Sequence, residues 1–147
     1  MDQTETLSHR HRDENAARHA GILALYDWCW GDDVQWLIGL TDDDRYYSHD
    51  HGYFFPDGEG WTEGSLMQNV HVPHQFADND VGISPESVKQ LVIALRAITP
   101  DALRAELVKI PESWPVTDSD LECLGYFLEQ RAPEVADRLL ARFGVVV

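Results

Sequence analysis

Gln35-Trp36-Leu37-Ile38-Gly39-Leu40, then Thr41-Asp42-Asp43-Asp44, then Arg45-Tyr46-Tyr47-Ser48-His49-Asp50 is the stretch on which the fold turns. Two short runs rich in aromatic and branched residues flank residues with turn chemistry, a pattern that predicts an antiparallel β-hairpin. Strands of nearly equal length joined by a short loop bring the start of the first beside the end of the second, at a spacing of about 5 Å. Asp33 and Gln35 are therefore expected close to Asp50.

On the amino-terminal side, Asp13 is placed to cap a helix running to about Trp30, with Ile22, Leu25, Tyr26 and Cys29 on one face and Gly31 as its stop. On the carboxy-terminal side, the segment from Tyr53 to Asn69 holds Pro56, Gly58, Gly60 and Gly64 and reads as a long irregular loop, of a kind that often carries function. Beyond residue 84 the pattern turns helical. Ser84-Pro85, Thr99-Pro100 and Thr117-Asp118 each offer an N-cap. They start three helices, lined by Val88, Leu91, Val92 and Leu95, by Leu103, Leu107 and Ile110, and by Leu121, Leu124 and Leu128. A fourth is expected to begin near Pro133, carry Val135, Leu139 and Phe143 inward, and stop at Gly144. The fold class is α+β, predominantly helical, with one small hairpin.

The 147 residues suit one domain, able to bury roughly 70% of the surface of its unfolded chain. Hydrophobic residues are 44% of the chain, which argues for a folded globular protein despite a formal charge of −15. Eleven Lys and Arg against 26 Asp and Glu leave no basic stripe, which argues against nucleic acid and anionic membrane surfaces as partners. No apolar run approaches the roughly 20 residues of a membrane span, and the polar start does not resemble a secretory signal, so a cytoplasmic location is expected. Cys29 and Cys123 lie far apart with no Cys-x-x-Cys pair, as expected of reduced core residues.

Two carboxylates and an amide converging at the mouth of a hairpin suit a hard cation, because magnesium takes oxygen ligands and keeps waters and phosphates. A remaining acid can accept a hydroxyl proton, and the order Gly-Asp-Asp, hairpin, Asp-His-Gly is one that phosphoryl transfer can use. Against this stands the plain reading that acids at turns are solvated. His49-Asp50 also matches the dyad of HD-type phosphohydrolases, but those dyads sit on helices and the Tyr-Tyr-Ser flank reads as strand. His71 and His74 have a His-x-x-His spacing with no third ligand at a standard zinc spacing. His9, His11 and His19 read as part of a polar end. The five tryptophans, Trp28, Trp30, Trp36, Trp61 and Trp114, read as packing residues.

The stretches LYDWCWGDDVQWLIGL, YYSHDHGYFFPDGEGW and ALRAELVKIPESWPVTDSDLECLGYFLEQRAPEVADRLL resemble the HipA-like kinases, in particular their actinobacterial-type branch. The resemblance implies a protein-kinase-like fold, of which residues 13–147 are similar to the carboxy-terminal lobe, after a flexible polar segment over 1–12. It further implies ATP and Mg2+ as cofactors and a protein hydroxyl as acceptor. Asp33 takes the catalytic-acid position and Asp50, in Asp-His-Gly, that of the metal-binding acid. The family has an asparagine a few residues after the catalytic acid; here Gln35 is the nearest candidate for the second metal ligand. The sequence shows no Gly-rich phosphate loop, no strand lysine and no helix glutamate to orient one, and Lys89 and Lys109 fall on distal helices. A partner chain supplying the amino-terminal lobe is one expectation; the alternative is a non-catalytic kinase lobe that binds a protein partner. The exposed aromatic floor around Trp36, Tyr53, Phe54 and Phe55 calls for a cover. The segment 56–64 folded back with Trp61 buried near the hairpin is expected, ahead of a partner lobe or a twofold homodimer.

Overall fold

The computed structural model describes residues 14–33, 35–39, 44–74 and 83–146. Among them the order is α1 (Asn15–Trp28), β1 (Gln35–Ile38), β2 (Tyr46–His49), α2 (Glu63–Asn69), α3 (Pro85–Arg96), α4 (Pro100–Leu107) and α5 (Asp118–Phe143), with short 3-10 turns at His51–Tyr53 and Gly58–Gly60. The expected hairpin forms, antiparallel and in the register Gln35↔His49 to Ile38↔Tyr46. Asp13, the turn residues Thr41, Asp42 and Asp43, the side chain of Trp36, and His9 and His11 lie outside the described residues. No described helix is long and apolar enough to cross a membrane.

Hydroxyl side chains start the later helices as the sequence predicts. Ser84 Oγ accepts from the Ser87 amide at 3.1 Å and Thr99 Oγ1 from the Ala102 amide at 3.2 Å, with Pro85 and Pro100 in the first turns. Thr117 and Asp120 close a reciprocal capping box, bonds of 3.1 and 2.8 Å satisfying two otherwise orphaned backbone donors. Gly144 ends α5 in the left-handed conformation at φ 61°.

Three expectations fail for identifiable reasons. Pro133 starts no new helix: α5 runs unbroken through it. A proline in a helix interior removes one backbone bond and costs about 3 kcal/mol. Here it lies on the exposed face, where water can satisfy the freed carbonyl, while Arg131, Ala132, Val135 and Ala136 hold the opposite face in the core. The segment from Tyr53 to Asn69 is not irregular throughout, because Thr62 and Ser65 form a second capping box that starts α2. Trp61 does not cover the hairpin. It is half-buried on the second core, with its ring 6.0 Å from that of Phe55. In addition Trp114 is 58% exposed rather than packed, and His19, expected in a polar end, is buried in α1.

Two apolar clusters share α5. In one, Val88, Val92 and Leu95 of α3 meet Ala132, Val135, Ala136 and Leu139 of α5 and Ala24 of α1. In the other, Leu66 and Val70 meet Cys29, Leu124, Phe127 and Leu128. Trp28 packs on both, and its Nε1 donates to the Leu128 carbonyl at 2.8 Å. Between them lies Arg131, with no exposed surface. Its Nε donates to the Trp28 carbonyl at 3.0 Å, its Nη1 to the carbonyls of Asn69 at 3.1 Å and Val72 at 2.8 Å, and its Nη2 to the carbonyl and carboxylate of Asp27. Trp30 and Phe127 present their ring faces at 4.9 and 5.1 Å. Burial lowers the Arg131 pKa to about 10, a drop that the Asp27 charge opposes, so the guanidinium stays charged at neutral pH.

Replacing Arg131 by Met leaves several carbonyls without their donor in a dry interior and Asp27 with Arg138 alone, and is expected to cost about 3–5 kcal/mol in urea unfolding. A loss below about 1 kcal/mol contradicts this account of the core. Burial pushes the Cys29 thiol up to about 12, with Arg131 opposing. The stabilisation tied to its protonated form is present below the ordinary thiol pKa of about 8.5 and is lost as pH rises through the folded value. At pH 8 an aromatic disulfide reagent should therefore modify Cys29 only as fast as the chain unfolds. Rapid labelling of Cys29 in the folded protein contradicts the burial.

Candidate functional site

The site lies where the end of α1 meets the mouth of the hairpin, and the turn between them is built by close contact. Trp30 takes the left-handed conformation after α1, at φ 55°, and the amide of Gly31 returns to the Tyr26 carbonyl at 2.8 Å. This is a Schellman closure, but the residue in the left-handed position is tryptophan, not the expected glycine. Gly31 is required for a different reason: a Cβ there would stand 2.5 Å from both Tyr26 Cδ1 and Phe54 Cε1. The Asp32 amide then donates to the Tyr53 carbonyl at 2.9 Å and the Phe55 amide to the Cys29 carbonyl at 2.8 Å, fastening the turn after α1 to the turn after β2. Asn15, buried at the start of α1, holds the other end of β2 by accepting from the Tyr46 amide at 2.9 Å and donating to the Asp44 carbonyl at 2.8 Å.

This frame separates the two acids of Gly31-Asp32-Asp33. The Asp32 carboxylate lies 3.3 Å from His74 Nε2, a ring that stacks on Trp30 with centroids 4.5 Å apart and also meets the Gly31 carbonyl at 3.0 Å. Asp33 is exposed, and its Oδ2 accepts from Gln35 Nε2 at 3.0 Å. Asp50 is exposed just past the end of β2 and, like Asp33, has φ 54°. A left-handed conformation is tolerated by aspartate better than by bulkier residues, at a cost of about 1–2 kcal/mol. Tyr26 of α1 is wholly buried. Its pKa is raised, first by burial and further by the charges of Asp33 and Asp50, against a hydrogen bond from the Gln35 backbone. The register Gln35↔His49 and the Gln35–Asp33 bond bring Asp33, Gln35 and Asp50 to one end of the hairpin.

Sequence reading misses two participants. A Cβ at residue 52 would lie 3.4 Å from Asp50 Oδ1 and 3.8 Å from Glu59 Oε1, which brings Glu59 to the Asp50 side of the site. No pattern in the sequence marks Glu59, since only the 3-10 turn Gly58–Gly60 folds it back. His51 stands out in the sequence only as the middle of Asp-His-Gly; Ser48 Oγ and His51 Nε2 share a short hydrogen bond, and the imidazole packs on Phe54 with centroids 4.6 Å apart.

The other histidine readings separate here. His71 Nδ1 meets Glu134 Oε1 at 2.6 Å, whereas His74 faces Gly31 and Asp32, so His-x-x-His does not converge on one point. His49 lies on β2, not on a helix as an HD-type dyad does. Among the described residues no three His, Cys, Asp or Glu side chains lie close enough to hold a metal by themselves. Asp33, Gln35 and Asp50 are compatible with magnesium only in the manner it commonly adopts, one or two carboxylates completed by water and phosphate oxygens.

Removing either charge next to Tyr26 should bring its phenol closer to the ordinary value of 10.0. Ultraviolet titration of Asp33→Asn and Asp50→Asn should each show one tyrosine ionising at lower pH than in the native chain. In the native chain, the stability tied to the neutral phenol is complete below pH 10 and is lost as pH rises through the folded value. Unchanged curves in both variants place the carboxylates away from the hydroxyl and dissolve the site. Comparison with protein-family models, curated proteins and solved structures finds no match to this chain.

Proposed function

We propose that this chain is the carboxy-terminal lobe of a HipA-like kinase fold and that the hairpin mouth takes part in ATP- and magnesium-dependent phosphoryl transfer to a protein hydroxyl. The observation that carries the reading is the hairpin register, Gln35 opposite His49, which with the Gln35–Asp33 bond brings Asp33, Gln35 and Asp50 to one end of the hairpin, in the chain order that the resemblance implies. Asp32 is engaged by His74, which leaves Asp33 as the acid of the pair facing the hairpin mouth. With Oδ2 occupied by the Gln35 amide, Asp33 keeps Oδ1 to accept the proton of an incoming hydroxyl. The Gln35 side-chain carbonyl and the Asp50 carboxylate would be the oxygen donors to the metal. Magnesium, when bound, supplies charge neutralisation on the phosphate oxygens. A phosphate loop and lysine on the opposite side of the nucleotide would come from an amino-terminal kinase lobe.

The placement of the lysines favours a second reading. Only two occur in the sequence; Lys89 is on α3, and Lys109, just past α4, holds Glu106 at 2.6 Å. A lobe without a lysine at the hairpin is suited to binding a protein partner without catalysis.

Calorimetry with ATP, with and without magnesium, separates the two. The kinase reading expects magnesium-dependent binding that Asp50→Asn weakens by about tenfold or more, about 1.4 kcal/mol, with Asp33→Asn binding close to the native chain. Absence of magnesium-dependent binding rejects nucleotide use by this chain and leaves the partner-binding lobe.

A further inference from the structure

We propose that the groove between α4 and α5 is a docking site for an amphipathic helical segment of a partner protein, with lysine or arginine along one flank. The groove has a volume of about 460 Å³ and lies on helices separate from the hairpin mouth. Its floor is Leu103 and Leu107 of α4 with Leu121 and Gly125 of α5. A glycine inside a helix costs about 1 kcal/mol relative to alanine. At Gly125 a Cβ would come within 3.1 Å of Leu107 Cδ1, so its absence leaves room for the Leu107 side chain at the base of the groove. The apolar surface continues upward onto Val108, 72% exposed, and Tyr126, 47% exposed.

Charge identifies the occupant. Asp118, Glu122 and Glu129 line the α5 side, on one face of a helix with 3.6 residues per turn, along about 16 Å of its axis. The one basic residue in the lining, Arg104, stands 3.5 Å from Asp101. An apolar floor with an acidic wall is complementary to a helix of about three turns that puts leucine-like side chains down and cations toward α5. A second copy of the chain is a poor occupant, because each copy carries a formal charge of −15. The inference does not depend on the kinase reading.

The probe is a fluorescein-labelled peptide of about four turns, with leucine at helical spacing and lysine along one flank, titrated by fluorescence anisotropy against the full chain. A scrambled peptide of the same composition controls for attraction to an acidic protein. The proposal expects the amphipathic peptide to bind at least about tenfold more tightly than the scrambled one. It expects Glu122→Lys with Glu129→Lys, and separately Tyr126→Ala, to weaken binding by about tenfold or more while circular dichroism stays native. Amide shifts in the native chain should cluster at residues 103–108 and 118–129. Equal binding of the two peptides, shifts centred elsewhere, or a homodimer that the same substitutions dissociate would each overturn it, the last by giving the groove to a second copy.

Discussion

A guanidinium with no exposed surface sets the geometry of this protein. Arg131 reaches from the middle of α5 into the junction of its two cores and collects carbonyls from the ends of α1 and α2. Helix ends leave carbonyls without intrahelical partners, and burying them unpaired is costly. One planar fork of five donors answers several of them at once, and no uncharged side chain can do so. Asp27 then serves both Arg131 and Arg138, the latter at 2.7 and 2.9 Å, so the buried charge is balanced within the same junction.

The turn into the hairpin depends on that junction. Because Arg131 fixes the carbonyls of Asp27 and Trp28, α1 must end where it does, and Trp30 is held in a left-handed conformation over the guanidinium. The next residues are Gly31, Asp32 and Asp33. Left-handed non-glycine residues recur through this part of the chain, at Trp30, Asp33, Asp44, Asp50, Phe55 and Asp57. Such conformations persist only where the surroundings over-determine them. The Asp32 to Tyr53 and Phe55 to Cys29 backbone bonds, with Phe54 and Tyr26 closed around Gly31, provide that constraint. The carboxylates of Asp33 and Asp50 are thereby presented to solvent from a closely bonded frame.

The chain order of the site is legible in the sequence because β pairing is arithmetic. Two short strands and the four-residue turn between them place residue 35 opposite residue 50; the structure pairs Gln35 with His49, one residue away, and still brings Asp33, Gln35 and Asp50 to one end of the hairpin. The N-caps at Ser84, Thr99 and Thr117 are legible for a similar reason: a hydroxyl satisfies amides two or three residues ahead, and proline suits the first turn. Glu59 is not, since it comes near Gly52 only through the left-handed Asp57 and the 3-10 turn Gly58–Gly60, which no sequence pattern marks.

The sequence alone determined features written within a few residues: caps, apolar helical faces, the hairpin and the left-handed stop at Gly144. Tertiary structure decided whatever required weighing one local preference against a distant contact. Pro133 is a local instruction to break α5, overruled because the residues around it fill the core against α3 while the proline itself faces water. Gly31 reads locally as a helix stop, yet its missing Cβ serves the approach of Tyr26 and Phe54. Arg131 reads as one more charge on an amphipathic helix. Only the meeting of α1, α2 and α5 turns it inward, because the free energy of pairing buried carbonyls appears once those helix ends are brought together.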